Sequence, residues 1–269
     1  VAGHVLMAKA DLAKRNFTEA YNTLRKALKK NKNNPQLLTQ LGWTLFANDS
    51  IDSAIIAFSQ AKESSPGYVP AYEGLGDSYS KQGATSIAIL QYEKALELDS
   101  LHVGVYYKLA KAYLKQRRYT EAVRTYQSVV SLDSTNNEAL FELGKLLHAA
   151  KQYGPAAQIL RKYLQRVPGS VEAEKMALEA SLNSRQYTEA LAVAQKILHR
   201  SPKTVYALRG AAHSQSELRQ YEPSLSSYER LKILDTLRSD DLRRIGKAFA
   251  ETRRDSLAVR YYEESLRLD

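Results

Sequence analysis

This sequence predicts an all-α protein made of stacked helix pairs, on three observations. The chain repeats itself every 34 residues, without insertion or deletion. Small residues recur at two fixed places in the repeat. Large apolar residues surround both places at helical spacing. A period of this length marks architectures in which each unit buries its apolar face only against its neighbours.

Counting from Val1, the frames are 1–34, 35–68, 69–102, 103–136, 137–170, 171–204, 205–238 and 239–269. The eighth position of successive frames holds Ala8, Gly42, Gly76, Ala110, Gly144, Leu178, Ala212 and Gly246. The twentieth holds Ala20, Ala54, Ala88, Ala122, Ala156, Ala190, Ser224 and Ala258. A small residue in mid-helix lets a neighbouring backbone approach, and bulk must fill the space around it. The seventh position supplies Met7, Leu41, Leu75, Leu109, Leu143, Ala177, Ala211 and Ile245. The twenty-fourth supplies Leu24, Phe58, Tyr92, Tyr126, Leu160, Ala194, Tyr228 and Tyr262. Positions four, seven, eight and eleven share one helical face, and positions twenty, twenty-four and twenty-seven share another. Pro66, Pro168 and Pro202 recur at the thirty-second position, where a helix has just ended.

The pattern resembles the tetratricopeptide repeat family along the whole chain. Residues 35–68 carry its signature at Leu38, Leu41, Gly42, Leu45, Ala54, Phe58, Ala61 and Pro66, and residues 69–102 at Tyr72, Leu75, Gly76, Tyr79, Ala88, Tyr92 and Ala95. The resemblance implies an α-solenoid, a right-handed superhelix of antiparallel helix pairs, expected here as a single domain over residues 1–269. Pentatricopeptide RNA readers are cousins with a usual period of about 35, so the strict shorter period argues against them.

Composition agrees with a packed helical protein. Apolar residues make up 44%, with only 12 Gly and 7 Pro. Tyr outnumbers Phe 18 to 5, which suits half-buried surfaces. Cys is absent, so disulfides and thiolate sites are excluded. Location is left open between cytoplasm and periplasm, and the style of the sequence suggests a bacterial source. No run is long and apolar enough to span a membrane. Lys9, Asp11 and Lys14 interrupt the opening stretch, so it does not read as a signal peptide. One removed earlier would fit the absence of an initial Met. The net charge is +10 and uneven: residues 1–102 carry 11 basic and 10 acidic side chains, residues 103–269 carry 28 and 19. That favours acidic partners downstream.

No catalytic constellation is legible. No two of His4, His102, His148, His199 and His213 lie three or four apart, so no helical two-His metal site exists. The run Glu73-Gly74-Leu75-Gly76-Asp77 lacks a third glycine and falls inside a helix, where its glycines pack rather than cradle phosphate. Asp240-Asp241 and Glu263-Glu264 read as solvated helix ends or faces. No nucleophile elbow is present. Neither enzyme activity, metal nor cofactor is expected.

The resemblance places the binding surface on the first helix of each repeat, at positions two, five, nine, twelve and thirteen. Trp43 and Phe46 then stand beside Glu73 and Asp77, and Tyr107 and Phe141 lie one helical turn from Lys111 and Lys145. Lys175, Arg209 and Arg243 form a cationic ladder with Lys247 beside it. Trp43 at a core position is the alternative for that residue. Aromatic rings beside cations suit an extended or helical peptide bearing carboxylates. A clamp for the C-terminal carboxylate of cytosolic heat-shock chaperones is excluded. It needs Lys and Asn at positions five and nine, Asn at six of the next repeat, and Lys and Arg at two and six of the third. Here Lys175 is followed by Glu179, Gly210, Asp240 and Arg244. A second basic line, Arg117-Arg118-Tyr119, Lys151-Gln152-Tyr153, Arg185-Gln186-Tyr187 and Arg219-Gln220-Tyr221, falls in the turns within repeats.

The function expected is therefore a non-catalytic scaffold binding an acidic peptide or protein segment in its groove. The alternatives are a periplasmic repeat module in polysaccharide export or envelope assembly, and a salt-dependent binder of nucleic acid or another anionic polymer. Two further expectations concern the stack. Residues 171–238 should be its softest part, with altered curvature, because Glu174, Ala177, Leu178, Ser181 and Ala194 in one frame and Ala211, Gln215 and Ser224 in the next stand where bulk or smallness is expected. The last frame ends without a polar cap, so either the chain continues in a longer protein or that end self-associates.

Overall fold

The structure is a computed structural model that describes residues 1–268; Asp269, which closes the last frame, lies outside the described residues. Sixteen α-helices and no strand are found among the described residues. The first compact unit, Val1–Thr135, holds α1 (Ala2–Ala13), α2 (Phe17–Lys30), α3 (Pro35–Ala47), α4 (Ile51–Ser64), α5 (Val69–Lys81), α6 (Thr85–Leu98), α7 (Val103–Lys115) and α8 (Tyr119–Leu132). The second begins at Asn136 and holds α9 (Asn137–Ala149), α10 (Tyr153–Arg166), α11 (Val171–Asn183), α12 (Tyr187–Arg200), α13 (Val205–Glu217), α14 (Tyr221–Leu234), α15 (Ser239–Glu251) and α16 (Asp255–Leu268). Within each unit every helix packs on the next in sequence, and the first helices of successive pairs also pack side by side.

Each repeat turns by the same backbone device. At position fifteen the chain enters the left-handed region, at Arg15, Asp49, Gly83, Arg117, Lys151, Arg185, Arg219 and Arg253. The amide of the following residue then reaches back to the carbonyl at position eleven, as in Asn16 to Asp11 and Gln186 to Ser181 (2.9 and 2.8 Å). This is a Schellman closure of the first helix. Side chains also cap the starts of first helices. Asn34 accepts from the Leu37 amide at 3.0 Å, Asn136 from Ala139 at 2.9 Å, and the His102 Nδ1 from Val105 at 3.2 Å.

The core follows the periodic positions. The alanines at position twenty are buried in all seven frames that have one. Ser224, the exception, is also buried and donates its hydroxyl to the Ala212 carbonyl at 2.8 Å, so the polar substitution is satisfied. Phe58 shows why smallness matters. A Cβ on Gly42 or Gly74 would meet its ring at 2.5 and 2.3 Å. The ring is thus sandwiched between the first helices of two successive repeats.

Among positions seven, eight, twenty and twenty-four, two are not buried. Met7 is 59% exposed, and within α1 only Ala8 is buried. Tyr262 is 36% exposed. Both sit at the outer margin of their unit, where no described helix covers that side. Leu178 and Ala194 reverse the usual sizes, large at position eight and small at twenty-four. Leu178 is buried and fills the space in front of Gly210, whose Cβ would lie 2.6 Å from it. The gap that Ala194 leaves is thus filled from the opposite helix.

Candidate functional site

The first-helix residues singled out above fall in both units. Trp43, Tyr107 and Lys111 belong to the first unit; Phe141, Lys145, Lys175, Arg209, Arg243 and Lys247 belong to the second.

In the first unit, Trp43 is half-buried. Its ring meets Phe58 edge-on at 5.0 Å and Phe46 at 5.7 Å. The Lys108 ammonium lies 5.6 Å from its centroid. Lys108 was missed by sequence reasoning. It bridges the Glu73 and Asp77 carboxylates at 2.7 and 2.6 Å. Burial alone would push this ammonium down, but the two carboxylates outweigh it and hold it above its ordinary value. Asp77 also accepts from the Tyr92 hydroxyl at 2.7 Å, and burial together with that carboxylate raises the phenol. The acidic pair beside Trp43 is therefore an internally satisfied wall. Further along, Tyr107 meets Tyr126 edge-on at 6.1 Å, and the exposed Lys111 places its ammonium 5.2 Å from the Tyr107 ring.

The second unit repeats this cation-over-ring arrangement. Phe141 stacks on Tyr163 at 5.0 Å, and Lys145 lies over Phe141 at 5.2 Å while pairing with Glu142 at 3.0 Å. Lys175 is exposed and lies 5.3 Å over the ring of Tyr206, a residue of the next first helix.

The expected ladder of free cations is corrected by Arg209. Its guanidinium donates to Asp241 at 2.9 Å, to Asp235 at 3.0 Å and to the Thr236 carbonyl at 3.1 Å. Asp241 is buried and also accepts from the Arg238 amide at 3.1 Å, so Arg209 ties α13 to the start of α15. Its charge is already neutralised. Arg243 pairs with Asp240, and Lys247 lies 4.0 Å from Glu217. Of the three rungs only Lys175 presents a cation with no carboxylate against it among the described residues. The Arg209 pairing had a sequence signal: Asp241 follows it by 32 residues, one repeat less two, which puts the pair side by side on neighbouring first helices. Lys108 likewise reaches the neighbouring first helix, to Asp77 and Glu73, 31 and 35 residues away.

His213 stands in the same row. Burial, and after it the nearby Arg244 guanidinium, lowers it to about 4, so it is neutral at physiological pH. No group of three or more His, Cys, Asp or Glu that could hold a metal exists among the described residues. No described helix is long and apolar enough to cross a membrane. Among the described residues the arrangement offers aromatic contact surfaces and charge.

Comparison with known proteins places this geometry. Tetratricopeptide repeat models match residues 11–78, 73–137 and 107–171. No curated protein matches the chain. Among solved structures, YrrB, described as a TPR protein with an unusual peptide-binding site, is 22% identical with a TM-score of 0.57, over 69% of this chain and 96% of its own. PilF of Pseudomonas aeruginosa is 16% identical with a TM-score of 0.59, over 77% and 95%. A tetratricopeptide repeat protein from Parabacteroides merdae is 15% identical with a TM-score of 0.54, over 92% and 98%. The repeat models, the helix-pair architecture and these neighbours agree, and the chain belongs to the tetratricopeptide repeat family.

Proposed function

We propose that this protein is a non-catalytic interaction scaffold whose first-helix faces bind an acidic peptide or protein segment. The observation that carries the reading is the recurrence of a lysine over an aromatic ring: Lys111 on Tyr107, Lys145 on Phe141 and Lys175 on Tyr206. Each pair offers a flat apolar surface with a cation at its edge, which suits a side chain followed by a carboxylate. YrrB, a structural neighbour, is described as having a peptide-binding site. Within the second unit, Arg243 and Lys247 add cations downstream of Lys175, and Arg209 is tied to Asp235 and Asp241.

The test is a selection of peptides from a randomised library on the full chain. Acidic sequences should be enriched, and Lys111→Glu with Lys175→Glu should abolish the enrichment. Enrichment unchanged by that double variant would overturn the assignment. Arg209→Glu is not a clean probe, since it would leave the buried Asp241 facing a second carboxylate.

A second reading, binding of an anionic polymer, rests on the exposed Lys151, Arg185, Arg219 and Arg253, one per repeat in the second unit. It would show as affinity for RNA or DNA falling steeply with salt.

A further inference from the structure

The charge of residues 1–102 is balanced in total but not in place. Residues 1–34 carry 8 basic and 2 acidic side chains, and residues 35–102 carry 3 and 8. Five of those cations, Arg25, Lys26, Lys29, Lys30 and Lys32, crowd the end of α2. All five are exposed, and no carboxylate pairs with any of them among the described residues. In the same unit Lys81, Lys94 and Lys108 are each held by an acid. The helix dipole favours cations in the last turn, which accounts for Lys29 and Lys30 but not for Arg25 and Lys26. In the two repeats that follow, the positions of Lys26, Lys29 and Lys30 are exposed again, at Gln60, Glu63 and Ser64 and at Lys94, Glu97 and Leu98. Those repeats are flanked on both sides, so this surface does not depend on what covers α1.

Two pockets of about 330 and 230 Å³ lie between α2 and α4 and share Lys32, Leu38 and Gln60 as walls. Arg25, Lys29 and Lys32 line one side at successive turns, about 5–6 Å apart along the chain. Gln60, Glu63 and Ser64 of α4 line the other. None of the first-helix positions two, five, nine, twelve or thirteen takes part. A polymer anionic all round would meet Glu63 as well as the cations. A bilayer surface calls for exposed apolar side chains beside the cations, and on α2 only Tyr21 supplies one, with the Arg25 guanidinium 5.9 Å from its ring. We propose that this groove between second helices docks a helix of a partner protein with acidic residues at i, i+4 and i+7 on one flank and a cation on the other. The acids meet Arg25, Lys29 and Lys32, and the cation meets Glu63. This ligand is a folded helix on a second face, distinct from the acidic segment assigned to the first-helix faces, so either surface can be lost without the other.

The full chain is titrated with a fluorescein-labelled, lactam-stapled Ala-based helix of about five turns that carries the Glu stripe and one Lys on the opposite flank, followed by anisotropy. A charge-swapped helix, a uniformly Glu-bearing helix, an oligouridylate and phosphatidylserine vesicles serve as alternatives. The two-flanked helix should bind saturably and more weakly as salt rises, with the charge-swapped helix at least tenfold weaker. Lys29→Glu with Lys32→Glu should reverse that preference, and Lys175→Glu should leave it unchanged. Glu63→Lys should weaken the two-flanked helix and favour the uniformly acidic one. Should the double charge reversal lower the melting temperature, Lys29→Gln with Lys32→Gln must still weaken binding at least threefold at unchanged helical circular dichroism. The assignment fails if the two-flanked helix does not bind saturably, or if the Lys29 and Lys32 variants leave its affinity untouched. It also fails if the oligouridylate or the vesicles bind more tightly and displace the helix. Binding abolished by Lys175→Glu instead would sink this groove and leave the scaffold reading standing.

Discussion

Leu178 and Gly210 make the residue-scale logic of this protein visible. In the second repeat Phe58 at position twenty-four presses on Gly74 of the following repeat; in the sixth, Leu178 at position eight presses on Gly210, the equivalent glycine. The same volume is filled from either helix, so packing density is conserved while the residue that supplies it is not. Reading each position alone, sequence reasoning counted both Leu178 and Ala194 as departures and did not see that one offsets the other. Leu178→Ala should therefore open an unfilled cavity and cost about 2–5 kcal/mol, as a loss of hydrogen-exchange protection in α11 and α13. His213 gives a second residue-scale prediction. The unfolded chain takes up its proton near pH 6.5 and the folded chain near 4, because burial disfavours the charged ring. Stability from this group is complete above pH 6.5 and is lost as pH falls towards 4. The loss should be about 1–2 kcal/mol, below the ~3 kcal/mol of a fully sheltered ring, because 21% of the side chain meets solvent. Thermal melts across that window should show the slope, and His213→Gln should flatten it.

At the scale of the element, the turn within each repeat has the most to explain. Seven non-glycine residues occupy the left-handed region at position fifteen, and six of them are Arg or Lys. That conformation costs a side chain about 1 kcal/mol relative to glycine. A cation just past a helix C-terminus recovers about 0.3–1 kcal/mol from the unpaired carbonyls. The two effects nearly cancel, which is a local reason for the basic line in the turns, independent of any partner. Arg185→Gly should thus be close to neutral, whereas Arg185→Val keeps the strain, loses the charge and should cost about 1–2 kcal/mol. Chemical denaturation of the two variants side by side would decide; equal stability would remove this account. The basic residues and the following tyrosines were legible in the sequence. The backbone conformation was not, because glycine, its usual marker, occurs at only one of the eight turns, Gly83.

For the whole molecule, stability in a repeat array is close to a sum over units and their interfaces. The stretch 171–238 buries Ser181, Ser214 and Ser216 with hydroxyls that find no partner, and it buries the Glu174 carboxylate, held by Arg200 at 2.8 and 2.9 Å. Each unsatisfied hydroxyl forfeits about 1 kcal/mol or more. Leu178 restores part of the missing bulk but none of the polar deficit. Amide exchange should therefore be faster across 171–238 than across 35–102, where Phe58 and Tyr92 fill the core. Uniform protection along the chain would contradict this.

The sequence by itself determined the helix pairs, their 34-residue spacing and nearly all the small and large core positions. These are properties of local periodicity, and a strict repeat reads them out eight times. It also indicated Trp43, Lys111 and Lys175 as surface features worth following. Only the tertiary structure decided which charges are available. Arg209 is neutralised by Asp235 of its own repeat and Asp241 of the next, and Lys108 by Glu73 and Asp77 of the preceding one, 26–35 residues distant in sequence. The near-repeat spacing of Arg209 and Asp241 brings the two side by side, but whether the side chains close the gap depends on reach across a helix interface, which periodicity alone does not give. A pocket of about 650 Å³ beside Trp43 has the same origin. Its walls come from α1, α3 and the start of α5, first helices that only the packing of successive repeats brings together.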